Sequence, residues 1–212
     1  MAATHSVITI GRQYGSGGRV IGEMLAKRLD IPFYDKSILT EAARQSGICE
    51  ELFQEHDEKP SRSLLFTMFS GSMGMDAGGY MGMPLQHKIF LAQFDAIRKI
   101  AGEGPCVIVG RCADYVLRDQ ANAVSIFLKA PFANRVARAI DRGADPLHAE
   151  DIVRKADKQR AGYYNYYATA TWGDVNNYDL CLDTSVLGYE GTAEFLELFV
   201  QQRERAMVLG KA

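Results

Sequence analysis

The chain has 212 residues, 47% of them apolar and 24% charged, with 24 Lys+Arg against 26 Asp+Glu for a net charge of −2. That length suits one domain, or one domain with an insertion, and the composition is that of an average globular protein. It excludes a disordered chain, a collagen-like fibre and a supercharged nucleic-acid binder, so any basic partner site has to be local. No run of 18 apolar residues is present, so no membrane span is expected, and Met1 to Ile10 lacks the basic-then-apolar order of a signal peptide. The four cysteines have no CxxC spacing and the four histidines no ligand spacing. Cys106 and Cys181 lie in apolar, strand-like runs. The thiols therefore read as buried and reduced, in a cytoplasmic protein, rather than as disulfides or a zinc site.

In chain order, Val7-Ile8-Thr9-Ile10 is a short β-branched run, the pattern of a buried strand. Gly11 to Gly18 follows as a glycine-rich turn. From Arg19 on, Val20, Ile21, Met24, Leu25 and Leu29 fall at helical spacing. Ile31-Pro32-Phe33-Tyr34-Asp35 breaks that helix, and a second is predicted over about 36–45. Residues 48–85 carry no usable period. Between Met68 and Met83 stand five Met and five Gly with Asp76 the only charge, which predicts a mobile loop or a partly ordered insertion. Such a stretch either covers an apolar ligand or partner or is a plain surface excursion.

Gln86 to Gly102 reads as an amphipathic helix, Cys106 to Val109 as a second buried strand and Val124 to Leu128 as a third. Pro131 opens a helix carrying Arg135, Arg138 and Arg142. A long polar helix is predicted from Leu147 past Arg160 into a tyrosine-rich stretch. Leu180-Cys181-Leu182 is a short strand, and Glu190 to Met207 the closing helix. Strands alternating with helices predict an α/β chain with a parallel sheet covered on both faces.

Gly15-Ser16-Gly17-Gly18 stands between a strand and a helix, where a phosphate-binding turn belongs. Glycines let backbone N–H groups turn inward, and the helix N-terminus adds partial positive charge. The standard pattern G-x-x-x-x-G-K-[ST] is not matched. Laid on its end, Gly18 takes the lysine position, Arg19 the hydroxyl position, and Arg12 the first glycine. With Arg19 as the lysine surrogate instead, Val20 takes the hydroxyl position. The usual magnesium-binding hydroxyl is missing either way, unless Ser16 supplies one. The competing readings are a tight turn without a ligand and, ranked lower, the start of a dinucleotide fingerprint with Asp35 as its acidic residue.

Taken together, Ile8 to Arg19 and Ile31-Pro32-Phe33-Tyr34-Asp35-Lys36 resemble the cytidylate kinase-like family, a divergent branch of the P-loop nucleoside monophosphate kinases. Further matches are Val107 to Arg111, Ile126 to Pro131 with Arg135, Asp157-Lys158-Gln159-Arg160 and Tyr163-Tyr164. Trp172-Gly173-Asp174, Asn177-Tyr178-Asp179 and Asp183-Thr184-Ser185 complete the set. The resemblance covers nearly the whole chain and is weakest over 48–85. It implies a single three-layer P-loop kinase domain over 1–212, with a parallel sheet of about five strands between helices. An acceptor-side insertion falls at 48–85 and an arginine lid near 131–160.

By resemblance, Gly110-Arg111 matches a motif that holds the acceptor nucleotide, with Cys112 in place of its acid and Asp114 nearby. Arg135 and Arg138 resemble lid arginines. Asp157 and Arg160 match the pair that follows the lid, and Asp183 lies near the base-binding edge of the donor site. The physics of phosphoryl transfer, mostly positioning plus cations around the transferring group, asks for the same residue types. Seven Arg/Lys against five Asp/Glu between Pro131 and Arg160 fit this, although most such runs are solvated helix faces. Asp35 binds Mg²⁺ through water, orients the acceptor, or caps the helix starting at Lys36. The tyrosines around Trp172 stack on a base, line a dimer contact, or pack the lid helix on the core.

The expected activity is transfer of the γ-phosphoryl of ATP, with Mg²⁺, to a nucleoside monophosphate such as CMP. Gly15, Ser16, Gly17, Gly18 and Arg19 cradle the donor phosphates, and Arg12 or Arg19 replaces the missing lysine. Arg111 holds the acceptor, and Arg135, Arg138 and Arg160 neutralise the transition state. The alternatives are a nucleotide-binding regulatory or interaction protein with little turnover, and a kinase of another small metabolite. No nucleic-acid or membrane partner is expected.

Overall fold

A computed structural model describes residues 4–35, 38, 41 and 85–210. The helix predicted over 36–45 lies almost wholly, and the insertion at 48–85 all but its last residue, outside them. The described elements run β1 (Val7–Arg12), α1 (Gly18–Leu29), β2 (Phe33–Tyr34), α2 (Leu85–Glu103), β3 (Cys106–Val109), α3 (Ala113–Val116) and β4 (Ala123–Lys129). After these come α4 (Phe132–Asp141), α5 (Ala149–Tyr167), a 3₁₀ turn at Val175–Asn177, β5 (Leu180–Asp183) and α6 (Thr184–Val208).

All five strands are parallel, in the order β2-β3-β1-β4-β5. Ile10 of the central strand aligns with Val109 on one side and Ile126 on the other. β1 is apolar at nearly every position because both of its faces are covered. Ile8 and Ile10 pack with Ile21 and Leu25 of α1 and Leu196 and Val200 of α6. Val7 on the other face packs with Ile97 and Ile100 of α2 and Val116 of α3. The usual strand alternation is lost for that reason. α1 stops at Asp30, which adopts φ 53, while the Ile31 amide returns to Ala26 O at 3.0 Å, with Pro32 next to block continuation.

Two expectations need correction. The closing helix starts at Thr184, six residues before Glu190, and kinks at Gly188. Asp183 caps it, its Oδ1 accepting from the Ser185 amide at 2.9 Å. The first turn escapes the apolar pattern because Val186 and Leu187 face solvent. Cys106 is buried as predicted, but Cys181 is only partly so, and both are free thiols. Among the described residues no helix is long and apolar enough to cross a membrane.

Parallel pairing puts all carboxyl ends of the strands on one edge. Arg12, Asp35, Gly110, Ala130 and Asp183 therefore collect there although they are far apart in sequence. Ligands of open α/β sheets bind at this edge.

Candidate functional site

The turn between β1 and α1 is built from its own backbone outward. The Gln13 amide donates to Leu128 O at 3.0 Å, and the Ser16 amide and hydroxyl both donate to Gln13 O, the hydroxyl at 2.9 Å. Gly17, at φ 84, is the N-cap of α1, and no side chain caps this end. The first turn of α1 therefore keeps the partial positive charge of an uncapped helix N-terminus. Ser16 is fully buried and its hydroxyl closes the turn.

The carbonyl side of the turn is clamped by three distant elements. Thr184 Oγ1 donates to Ser16 O at 2.6 Å. Arg138 donates to Gly15 O at 3.2 Å and to Thr184 Oγ1 at 3.1 Å, with its guanidinium carbon 4.9 Å from the Tyr189 ring centre. That ring lies against Gly17 so closely that a Cβ there would collide with it. Arg135 is 7% exposed; it donates to Ala130 O, to Tyr14 O and to Asp157. Asp157 in turn accepts the Tyr14 amide at 2.7 Å. Arg135, Arg138 and Asp157 do converge on the turn, but their polar atoms face its backbone.

On the neighbouring strand, β3 runs into Gly110, Arg111 and Cys112, three successive residues at φ 84, 61 and 55. Left-handed backbone at two non-glycine residues costs about 1–3 kcal/mol each and persists where surroundings impose it. Here the Arg12 guanidinium lies over Gly110, where a side chain would collide with it. Gly11, Arg12, Arg111, Asp114, Arg160 and Tyr178 are among the residues lining one cavity at this point. Arg160 donates to Arg12 O at 3.2 Å and stands over the Tyr14 ring.

Cys112, where the resemblance leads one to expect an acid, holds a thiol whose pKa burial pushes up, so it stays neutral. Asp114 brings the carboxylate to the same cavity. Burial raises its pKa, against the hydrogen bond that the Tyr164 hydroxyl donates at 2.6 Å. Tyr164, Tyr163 and Tyr167 pack with Cys112, Tyr115 and Trp172, the helix-to-core packing expected, while Tyr163, Tyr164 and Trp172 also line the cavity. The Tyr178 hydroxyl is buried without a hydrogen-bond partner among the described residues. Burial pushes its pKa up, with Tyr164 and the Gly173 backbone beside it acting the other way.

Arg19 and Asp35 form a pair of their own, Nε to Oδ2 at 2.9 Å. The Arg19 side chain is 60% exposed and also faces Glu23 at 3.7 Å. Asp183 is engaged in capping α6 and stands 3.7 Å from Lys129. The Ser185 hydroxyl is the main cause of its lowered pKa. Among the described residues no three His, Cys, Asp or Glu side chains gather as a metal site. Thr184, Tyr189 and Tyr14 belong to this site without being assigned to it from the sequence, whereas Tyr164 and Tyr178 are among the tyrosines read there as base-stacking or packing residues. Thr184 and Tyr178 sit inside recognised motifs, whereas Tyr189 reaches Gly17 only through the kink at Gly188, which leaves no signal in the sequence.

This architecture, a five-stranded parallel sheet between helices with a glycine turn after β1, is the P-loop kinase fold. Residues 7–186 match the cytidylate kinase-like family, and the chain belongs to it. Its structure is similar to that of an uncharacterized protein from Eubacterium ventriosum, at 28% identity and a TM-score of 0.68, covering 92% of this chain and 98% of that one. Shikimate kinase from Bacteroides thetaiotaomicron shares the fold at 13% identity and a TM-score of 0.54, over 92% of this chain and 98% of its own. No curated protein matches the sequence. Family and fold together support phosphoryl transfer as the general chemistry.

Proposed function

We propose that the chain transfers the γ-phosphoryl group of ATP to a nucleoside monophosphate, with a CMP-like acceptor first. The observation that carries this reading is one of placement. An uncapped helix N-terminus behind a glycine turn stands beside a cavity that Arg12, Arg111 and Arg160 all line. Anions are favoured on both sides of that gap. The turn from Gly15 to Gly18 takes the donor phosphates. Arg111 and Arg160 take the acceptor phosphate, and Asp114 meets a hydroxyl or amino group of the acceptor. Arg135, Arg138 and Asp157 hold the turn in shape.

Asp35, at this edge of the sheet and paired with Arg19 at 2.9 Å, would hold Mg²⁺ through water without giving up that pair. Bound there, the metal supplies charge neutralisation between the donor phosphates.

A coupled ATPase-type assay over CMP, dCMP, UMP, AMP and GMP tests the proposal, with turnover expected first for CMP. ATP binding without turnover on any of the five instead supports a nucleotide-binding protein, which the missing lysine and hydroxyl favour. The neutral Cys112 favours a third reading, another phosphorylated or carboxylated metabolite as acceptor. Turnover confined to such a metabolite would select it.

A further inference from the structure

The standard phosphate loop sends a lysine from the start of its helix to the β- and γ-phosphates. That position here is Gly18, the first residue of α1. A Cβ placed on Gly18 would stand 2.6 Å from Arg12 Cβ and 2.9 Å from Arg12 Cγ. The space in which a lysine stem would begin is therefore filled by the stem of Arg12. From there the Arg12 guanidinium runs to the Gly110 turn. Its Cζ would be 2.8 Å from a Cβ on Gly110, and it lines the cavity shared with Arg111 and Arg160. Two glycines in separate elements make room for a single arginine.

Arg19, the other residue considered for the lysine's place, has a 60% exposed side chain that turns to Asp35 and Glu23 and away from the space beside Gly18 and Gly110. We infer that Arg12 is the catalytic cation of this chain. Arginine has moved to the position of the loop's first glycine, and glycine to the position of its lysine, so the charge enters the same space from the opposite side of the turn.

The inference rests on the phosphoryl-transfer reading and names the residue that serves it. In the step itself, the bond from Pγ to the β,γ-bridging oxygen breaks as the bond from an acceptor phosphate oxygen to Pγ forms. That acceptor oxygen is already deprotonated, so Arg12 gives up no proton. Its fork meets the charge spread between the leaving ADP and the transferring group. A guanidinium suits this placement better than an ammonium, because it spans from the donor turn to the acceptor loop.

The test uses the full-length chain with ADP binding by calorimetry, steady-state turnover with ATP and CMP, and thermal denaturation. Arg12→Met keeps a stem against Gly18 and removes only the charge. It is expected to stay folded and to lose about 100-fold or more in kcat, the scale of a transition-state cation. ADP affinity should fall by about tenfold, near 1.4 kcal/mol. Arg12→Gly/Gly18→Lys, which restores the standard arrangement, is expected to recover at least about tenfold of that kcat. Arg19→Ala is expected to cost far less than Arg12→Met.

Wild-type turnover in Arg12→Met, or a larger loss in Arg19→Ala, overturns the inference and leaves the phosphoryl-transfer reading standing. A wild-type chain that binds neither ADP nor ATP overturns both. If Arg12→Met does not fold, Arg12→Gln decides: folded with wild-type turnover overturns the inference, folded with the loss expected of Arg12→Met supports it.

Discussion

Asp157 and Tyr14 are 143 residues apart in sequence and joined by a 2.7 Å hydrogen bond from the Tyr14 amide to the Asp157 carboxylate. The other oxygen of that carboxylate meets Arg135 at 2.5 Å, with side-chain exposures of 8% and 17% for the Arg135–Asp157 pair. One largely buried ion pair thus fixes the backbone that precedes Gly15 and Gly17.

Removing one partner of such a pair strands a buried charge and costs about 3–5 kcal/mol. Asp157→Ala is therefore expected to lower the melting temperature steeply, at about 2–4 °C per kcal/mol for a chain of this size. Asp157→Asn keeps an acceptor for the Tyr14 amide and should lose less. A melting temperature for Asp157→Ala within a few degrees of wild type would show that the pair is not stabilising the turn.

Arg138 touches the turn differently, through Gly15 O and Thr184 Oγ1. Each such bond contributes on the order of 1 kcal/mol. Arg138→Ala should raise the KM for ATP by about tenfold, which is 1.4 kcal/mol, while the KM for the acceptor stays put. Equal rises in both constants would place Arg138 on the acceptor instead.

Tyr178 offers a test with an unusual sign. Its buried hydroxyl has no hydrogen-bond partner among the described residues, and an unsatisfied buried polar group costs about 1–3 kcal/mol. Tyr178→Phe is expected to leave the free protein as stable as wild type or more so, and to raise the acceptor KM. A clear loss of stability would mean that the hydroxyl is held by the protein itself and not kept for a ligand.

At the opposite edge of the sheet, Glu204 accepts from Thr4 Oγ1 at 2.6 Å, Ser6 Oγ at 2.7 Å and the His5 and Ser6 amides. Burial raises its pKa, but these donors outweigh burial and hold it below the ordinary value of 4.5. A depressed folded pKa gives stability that is present above 4.5 and lost as pH falls through the folded value. Denaturant midpoints should favour wild type over Glu204→Gln at pH 7, and the gap should narrow below pH 4.5. A gap independent of pH would remove the charge from the account.

Much of the fold was legible because it is local. Cys106 to Val109 is a continuous apolar run, and Val7 to Ile10 and Val124 to Leu128 are broken only by Thr9 and Ser125, as a strand covered on both faces requires. The start of α6 was not legible: Gly188 interrupts the helical period while Val186 and Leu187 point outward, so the Asp183 cap alone marks it.

The sequence by itself determined the alternation of strands and helices, the glycine turn and its family. It also determined that several arginines would crowd one edge of a parallel sheet, since each follows a strand or opens the helix after one. Only the tertiary structure decided what each cation faces. A guanidinium sits at the end of a long, rotatable stem, and its direction is set by whatever space and charge lie within reach. Asp35 and Glu23 draw Arg19 aside, Asp157 holds Arg135, and the space left by Gly18 and Gly110 admits Arg12. Glu23 stands one helical turn from Arg19, but Asp35, Asp157 and Gly110 lie 16, 22 and 98 residues from the arginines they meet, distances that local periodicity does not reach.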